Sequence, residues 1–402
     1  MKSDKKIYYI ANARMPTEKA HGIQLAKMCE AFVEHGVDLE LIVPRRKTSE
    51  ISLKDFYGLA VDIPVTKIPV IDWYINGRIG FFIGSVSFAV GYFFYLWAKR
   101  LRGEGFIVYM TDIDQFSFFL IPFFWIPYFC EIHDAKQKRF PFTLLFRHAA
   151  GIITINGIIK KELSETFSIA PAKIIVHPNG IDMRMFASRG SPADARNILR
   201  LPRERFIALY TGRFYDWKGL DIAVDAAQLL DKEMELYLVG GGAEELMRVT
   251  GTKELPQSLH CMGHRKFTEI PMWLFAADVV LVFGTQRNDY SYLHTSPMKF
   301  FEYMASKRPI IASRTPANRE IVTEDDALMY EPDNAEDLAE KIRYAYRHRD
   351  EMEERAEHAF EKVGNFSWDK RSLSIMEFMG ISRTPRHNNF SESPSRHSGT
   401  TI

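Results

Sequence analysis

The stretch FIALYTGRFYDWKGLDIAVDAAQLLDKEMELYLVGGG, residues 206–242, decides the fold. FIALYTG is a short apolar run that reads as a strand, and Gly212 ends it. GLDIAVDAAQLL has helical spacing, and ELYLVGGG is a second strand. A strand, a helix and a strand in this order imply a parallel pair joined by a crossover. Arg213 and Lys218 flank the loop that leads from the first strand into the helix. Ligands of open parallel sheets sit beyond the carboxyl ends of the strands, so two cations here form a natural diphosphate clamp. Taken alone, the pair reads first as solvated surface charge.

The same alternation continues on both sides. FTEIPMWLFAA is a helix, DVVLVFG a strand, TSPMKFFEYMASK a helix and RPIIAS a strand. ALMYEP and the helical AEDLAEKIRYAYRHRDEMEERAEHAF finish the series. Towards the N-terminus, KIYYIAN, DLELIVP, FIVYMT, YFCEIH, GIITIN and AKIIVHPNG read as strands, with AHGIQLAKMCEAFVEHG a helix after the first. A polar stretch, Ser188–Arg205, separates the two series. The expected architecture is α/β, two Rossmann-like doubly wound domains facing a central cleft. The first domain is expected over 1–183, the second over 184–365, and a C-terminal helix over 366–380 that crosses back to the first domain. The polar tail 381–402 has the composition of a disordered segment.

With 402 residues, of which 46% are hydrophobic, two domains are the natural prior. Lys and Arg number 52 against 51 Asp and Glu, which argues against a nucleic-acid binder driven by bulk charge. Cys29, Cys130 and Cys261 are far apart and odd in number, so they suggest neither a zinc site nor a disulfide framework and fit a reducing cytosol. The apolar run before Asn12 and Arg14 is too short for a signal peptide. Ile79–Ala98, IGFFIGSVSFAVGYFFYLWA, is an uncharged stretch of 20 residues followed by KRLR. It has the length of a membrane span. A span would put the flanking strands of one sheet on opposite sides of a bilayer, so a buried or interfacial helix is the expectation. With the aromatic run Phe116–Cys130, it points to peripheral membrane contact.

TSPMKFFEYMASK, residues 295–307, adds a second anion site, because the free N–H groups of a helix start attract phosphate. Ser296 is the expected N-cap and Pro297 the first helical residue. Lys299 then falls in the first turn, where a cation opposes the helix dipole unless an anion sits nearby. Glu302, about one turn deeper, is placed to accept hydrogen bonds from ribose hydroxyls. VGGG (Val239–Gly242) lacks dinucleotide-motif spacing and reads as a tight strand exit. His177 reads as a junction residue, and Asp112 and Asp114 are weaker candidates to position an acceptor hydroxyl.

TGRFYDWKGLDIAVDAAQLL, LYLVGGG, SPMKFFEYMASKRPIIAS and HPNGID together resemble a retaining glycosyltransferase of the GT-B fold, family 4. MPTEKAHGIQLAKMCEAFVEHGVDLELIVP and CEIHD are similar to that family's first domain, so the resemblance covers about residues 5–380. It implies that Arg213 and Lys218 neutralise the donor diphosphate and that Glu302 binds the donor ribose. Thr295, Ser296, Pro297, Met298 and Lys299 would form the turn that meets the phosphates. Gly22 would approach the donor with its backbone, and His133 would line the donor sugar near the reacting centre. His264, Arg265 and Lys266 would lie near the base.

One position departs from the pattern. Many members carry a second glutamate eight residues before the first, and here that position is His294. His294 either takes over a hydrogen bond to the donor or serves the structure. The resemblance implies a nucleoside-diphosphate sugar as co-substrate, no tightly bound cofactor and no metal in the site, and the balanced charge implies no nucleic-acid partner. The aromatic richness of residues 70–130 points to a lipid-linked or otherwise amphipathic acceptor beside a glycan one, in the cytoplasm or at the inner face of the membrane. Two alternatives share the fold: a non-catalytic sugar-nucleotide-binding regulatory subunit, and a sugar-nucleotide epimerase. The epimerase would need further acid–base groups in the cleft.

Overall fold

The computed structural model describes residues 6–47, 50–71, 77–111, 113–187 and 191–382. Asp112 and most of the polar tail lie outside the described residues. The first sheet holds β1 (Lys6–Ala11), β2 (Leu39–Arg45), β3 (Val65–Pro69), β4 (Phe106–Thr111), β5 (Tyr128–Ile132), β6 (Gly151–Thr154) and β7 (Ile174–Val176). Its order is β3-β2-β1-β4-β5-β6-β7, parallel throughout. The second sheet holds β8 (Phe206–Thr211), β9 (Met234–Val239), β10 (Leu259–Cys261), β11 (Val279–Val282), β12 (Ile310–Ser313) and β13 (Leu328–Tyr330). Its order is β10-β9-β8-β11-β12-β13, again parallel. The winding reverses between β1 and β4 in the first sheet and between β8 and β11 in the second. Crevices form at such points, outside the strands' carboxyl ends. This is the two-domain GT-B architecture.

Each sheet is covered on both faces, which explains why its strands read as nearly continuous apolar runs. Alternation sends Tyr8 and Ile10 of β1 into one core and Ile7 and Tyr9 into the other. In β8, Ile207 and Leu209 enter one core, and Phe206, Ala208 and Tyr210 the opposite one. The helix Trp368–Phe378 follows the second sheet in sequence but packs on the first. Trp368, Ile375 and Met376 share a core with Ile7, Tyr9 and Phe32.

Three features differ from the sequence reading. β3 was not expected, because Pro64 and Pro69 bracket it; it is an edge strand, where a missing N–H is tolerated. The segment read as one long C-terminal helix is two, Ala335–Arg347 and Arg349–Val363, broken at His348. Ile79–Ala98 lies within the helix Arg78–Leu101, whose Phe88, Ala89, Tyr92 and Leu96 enter the first core. It is the one described helix long and apolar enough to cross a membrane, and only 33% of its most apolar window is buried.

Candidate active site

Arg213 and Lys218 follow β8, and residues 283–299 follow β11, so both groups emerge at the second sheet's point of reversal. Gly212 turns the chain with φ 132°, a conformation that side-chain-bearing residues rarely adopt. A Cβ there would lie 2.9 Å from Lys299 Nζ and 3.2 Å from the Tyr210 hydroxyl. The glycine thus lets Lys299 reach the end of β8. The Lys299 ammonium sits 3.8 Å from the Tyr210 ring centroid, and the Lys218 ammonium 5.9 Å from the same ring. Lys218 Nζ also donates to the Arg213 carbonyl at 2.7 Å and faces the rings of Tyr215 and Trp217.

This is a cluster of basic side chains. Among the described residues, neither lysine has a carboxylate within ion-pairing distance, and the Arg213 side chain is exposed without a partner. The buried Tyr210 hydroxyl has no hydrogen-bond partner there either. Burial, and then the neighbouring Arg213, pushes the Lys218 ammonium down to about 7. Burial and then Lys218 hold Lys299 well below the ordinary lysine value. Burial raises the Glu302 carboxyl to about 7 against the pull of Lys299. Two desolvated amines and an orphan hydroxyl, beside a helix N-terminus, suit a polyanion.

The helix start differs from the expected one. The helix runs Met298–Ser306 with Pro297 as N-cap, so Ser296 does not cap it and Lys299 is the second helical residue. Ser296 instead joins the two units. Its hydroxyl accepts from Asn179 N at 3.3 Å, and Asn179 Nδ2 donates to its carbonyl at 2.8 Å. Met298 packs on the core of the first unit. A π-helical turn, Tyr290–His294, precedes the site, and the Thr295 hydroxyl donates back to the Ser291 carbonyl at 3.4 Å. His294 is buried, and its Nε2 lies 2.9 Å from a Glu162 carboxylate oxygen in the first unit. His294 therefore ties the two units together.

The remaining predicted residues are placed as follows. Glu302 is buried in the same helix. Gly240 N donates to the Gly263 carbonyl, which brings the turn before His264–Lys266 against the exit of β9. His264 is exposed and 3.3 Å from Glu245, Arg265 lies over Trp273, and Lys266 caps a short 3-10 turn. Gly22 lies in the helix Ala20–Glu34, where a Cβ would come within 2.5 Å of both Thr17 and the Tyr57 hydroxyl. That close packing is reason enough for a glycine. Asp114 accepts from the N–H groups of Phe116 and Ser117 and from Asn12, a turn-stabilising role.

His133 follows β5, with Nε2 2.7 Å from Glu131 Oε1. Glu131 is fully buried, and burial pushes its carboxyl up. Arg371 and His133 more than offset this, leaving it well below the usual range. Arg371 Nη2 lies 2.7 Å from Glu131 Oε1, and its Nε donates to the Pro178 carbonyl. Tyr210, Asn179, Glu131, Glu162 and Arg371 were not read as functional in the sequence. Asn179, Glu131 and Tyr210 stand inside the quoted HPNGID, CEIHD and FIALYTG, but Ser296, Arg371 and Lys299, which they meet, are distant in sequence, as His294 is from Glu162. The depression lined by Phe206, Asp278, Arg349 and Glu357 lies at the opposite, amino-terminal edge of the second sheet.

Comparison with known proteins agrees with this fold. Residues 205–348 match the family model for glycosyl transferases group 1. An uncharacterized glycosyltransferase of Methanocaldococcus jannaschii is 24% identical over 259 residues, 62% of this chain and 67% of that protein. A D-inositol 3-phosphate glycosyltransferase of Xylanimonas cellulosilytica is 29% identical over 38% of each chain. A teichuronic acid biosynthesis glycosyltransferase, TuaC, of Bacillus subtilis is 24% identical over 54% of each chain. The chain therefore spans about two thirds of the first of these relatives and about half or less of the others. Among solved structures, a glycosyltransferase of Rickettsia africae superposes with TM-score 0.71 at 16% identity, covering 94% of this chain and 100% of that one. Anabaena HepE in complex with UDP and glucose gives TM-score 0.70 at 18% identity, covering 94% and 99%. Together the family match and the relatives support a group 1 glycosyltransferase.

Proposed function

We propose that the chain is a retaining, family 4 hexosyltransferase that moves a sugar from a nucleoside diphosphate to an acceptor hydroxyl. The acceptor is a glycan or lipid-linked molecule, and the setting is polysaccharide or glycolipid synthesis in the cytoplasm, at the inner face of a membrane. The observation that carries this reading is the meeting of Lys218 and Lys299 on the Tyr210 ring, beside Arg213 and without a balancing carboxylate. The UDP and UDP-glucose complexes of the Anabaena neighbour support a nucleotide-sugar donor.

Rupture of the glycosidic bond places negative charge on the leaving diphosphate. In this reading Lys218, Lys299 and Arg213 stabilise that charge as it grows, and such preorganised groups contribute about 3 kcal/mol each. The leaving phosphate oxygen can itself take the acceptor's proton, so the account requires no protein base. Glu302 is assigned to the ribose in this reading, and the Glu131 carboxylate fixes the ring of His133 through Nε2. The two units hold the donor between them and exclude water that would otherwise hydrolyse it.

Sugar release from a panel of UDP-, GDP- and ADP-sugars tests the assignment. One donor is expected to be turned over, and Lys218→Ala to reduce that rate at least about tenfold. Turnover undiminished in Lys218→Ala would remove the site. A non-catalytic sugar-nucleotide binder is the second reading, favoured by His294 being engaged with Glu162 where many family members carry a glutamate. Binding without turnover on any acceptor would select it.

A further inference from the structure

The helix Arg78–Leu101 is apolar on both sides. Its inner side is spoken for: Ser85, Phe88, Ala89, Tyr92 and Leu96 are buried. Its outer side is not. Ile79, Phe82, Val90, Phe94, Trp97 and Leu101 follow one another at helical spacing and are all exposed, Phe94 by 65% and Leu101 by 75%. From Ile79 to Leu101 the stripe runs about 33 Å. Helices apolar all round are normally enclosed, and monomers seldom expose contiguous apolar patches of this extent.

Neighbouring elements extend the stripe. The Phe124 ring lies 4.5 Å from Phe93 and 6.3 Å from Trp97, which fixes the Ile121–Phe124 turn beside the helix. Phe123 and Trp125 on that turn are 54% and 87% exposed. The helix Phe140–His148 packs on the same turn, and its Phe140 is 78% exposed.

Charge says what covers this surface. Residues 77–103, 115–130 and 135–161 contain no Asp or Glu, in a chain whose net charge is only +1. Arg78 stands at one end of the stripe, Arg100 and Arg102 at the other, and Lys138 and Arg139 beside Phe140. Aromatic side chains rimmed by cations match the interface of an anionic bilayer, where indole rings favour the headgroup level.

We propose that this face docks on an anionic lipid bilayer, with the helix lying in the plane of the headgroups rather than crossing it. Polar contacts on the inner side hold the helix to the sheet. Asn12 donates to the Ser85 hydroxyl at 3.0 Å, Ile71 N to the Ser87 hydroxyl at 3.0 Å, Tyr92 to the Ser117 carbonyl, and Tyr95 to Glu40. A span would break all four. Asn12 follows the carboxyl end of β1, so the stripe starts at the rim of the first unit's crevice.

Co-sedimentation with vesicles tests this on the full chain. Vesicles of equimolar phosphatidylglycerol and phosphatidylcholine are expected to pellet the protein, pure phosphatidylcholine vesicles to do so weakly, and high salt to reverse the difference. Phe94→Ser with Trp125→Ser is expected to weaken partitioning at least about tenfold while leaving the thermal midpoint unchanged, because both side chains are exposed. Retention in the supernatant with both vesicle types would overturn the proposal, as would partitioning unaffected by the double variant. A dimer in light scattering that Phe94→Ser dissociates, with no vesicle binding, would make the stripe a self-interface and overturn it too. The readout contains no turnover, so it stands or fails separately from the transfer assay.

Discussion

Lys299 shows how far a single residue's reading reached. The sequence signalled a cation at a helix start, where one is unfavourable, and the structure places that cation beside Lys218. What it could not signal was Tyr210, whose ring lies under both lysines. Nothing local connects residue 210 to residue 299. The cap was misread for a similar reason: Ser296 is a good local cap, but Asn179 of the linking segment captures it. The lysines give a pH prediction. In the free protein the Lys218 ammonium is held at about 7 instead of 10.5. An unfolded lysine keeps its proton over that interval, so this residue makes the fold less stable as pH falls from 10.5 towards 7. A bound diphosphate favours the protonated amine, so binding at about pH 8 takes up a proton. Nucleoside-diphosphate affinity is expected to fall as pH rises from about 7 to about 9, by up to about tenfold per unit. Calorimetric titration in two buffers of different ionisation heat measures the uptake. Affinity unchanged over that range would contradict the lysine assignment.

At the scale of elements, the interior strands were legible because parallel strands buried on both faces are apolar throughout. β3 was not, because an edge strand between prolines carries little pattern, and neither was the break at His348. The last helix was legible as an element, but its anchor was not. Arg371 on that helix meets Glu131 on β5, 240 positions apart, and both are almost completely buried. Glu131 lies well below the usual carboxylate range. It therefore contributes stability that is present above about pH 4.5 and is lost as pH falls through its folded value. Arg371→Leu removes the guanidinium partner of that buried charge, which costs about 3–5 kcal/mol. Urea unfolding is expected to show the full loss at neutral pH and a smaller one near pH 4.5, where Glu131 of the variant accepts a proton. An equal loss at both pH values would mean that packing, not charge, is what Arg371 supplies.

At the scale of the whole molecule, two doubly wound units meet through contacts that cross between them. Glu320 of the second unit accepts from Gly157 N and Ile158 N at a helix start in the first, and Glu162 meets His294 in the reverse direction. Asn179 and Met298 add to the seam directly beside the lysine cluster. Two units and a cleft were predictable from the β–α alternation and the polar stretch between the series. The seam was not, since its partners lie 117–163 positions apart. The central claim is that Lys218 and Lys299 hold the donor's diphosphate. Its most direct test is calorimetric titration of UDP, GDP and ADP into the wild type, Lys218→Ala and Lys299→Met. The account predicts one-to-one binding of at least one nucleotide and a loss of about tenfold or more in each variant, the cost of a charge-assisted hydrogen bond. Binding of equal strength in all three proteins, or of no nucleoside diphosphate to the wild type, would contradict it.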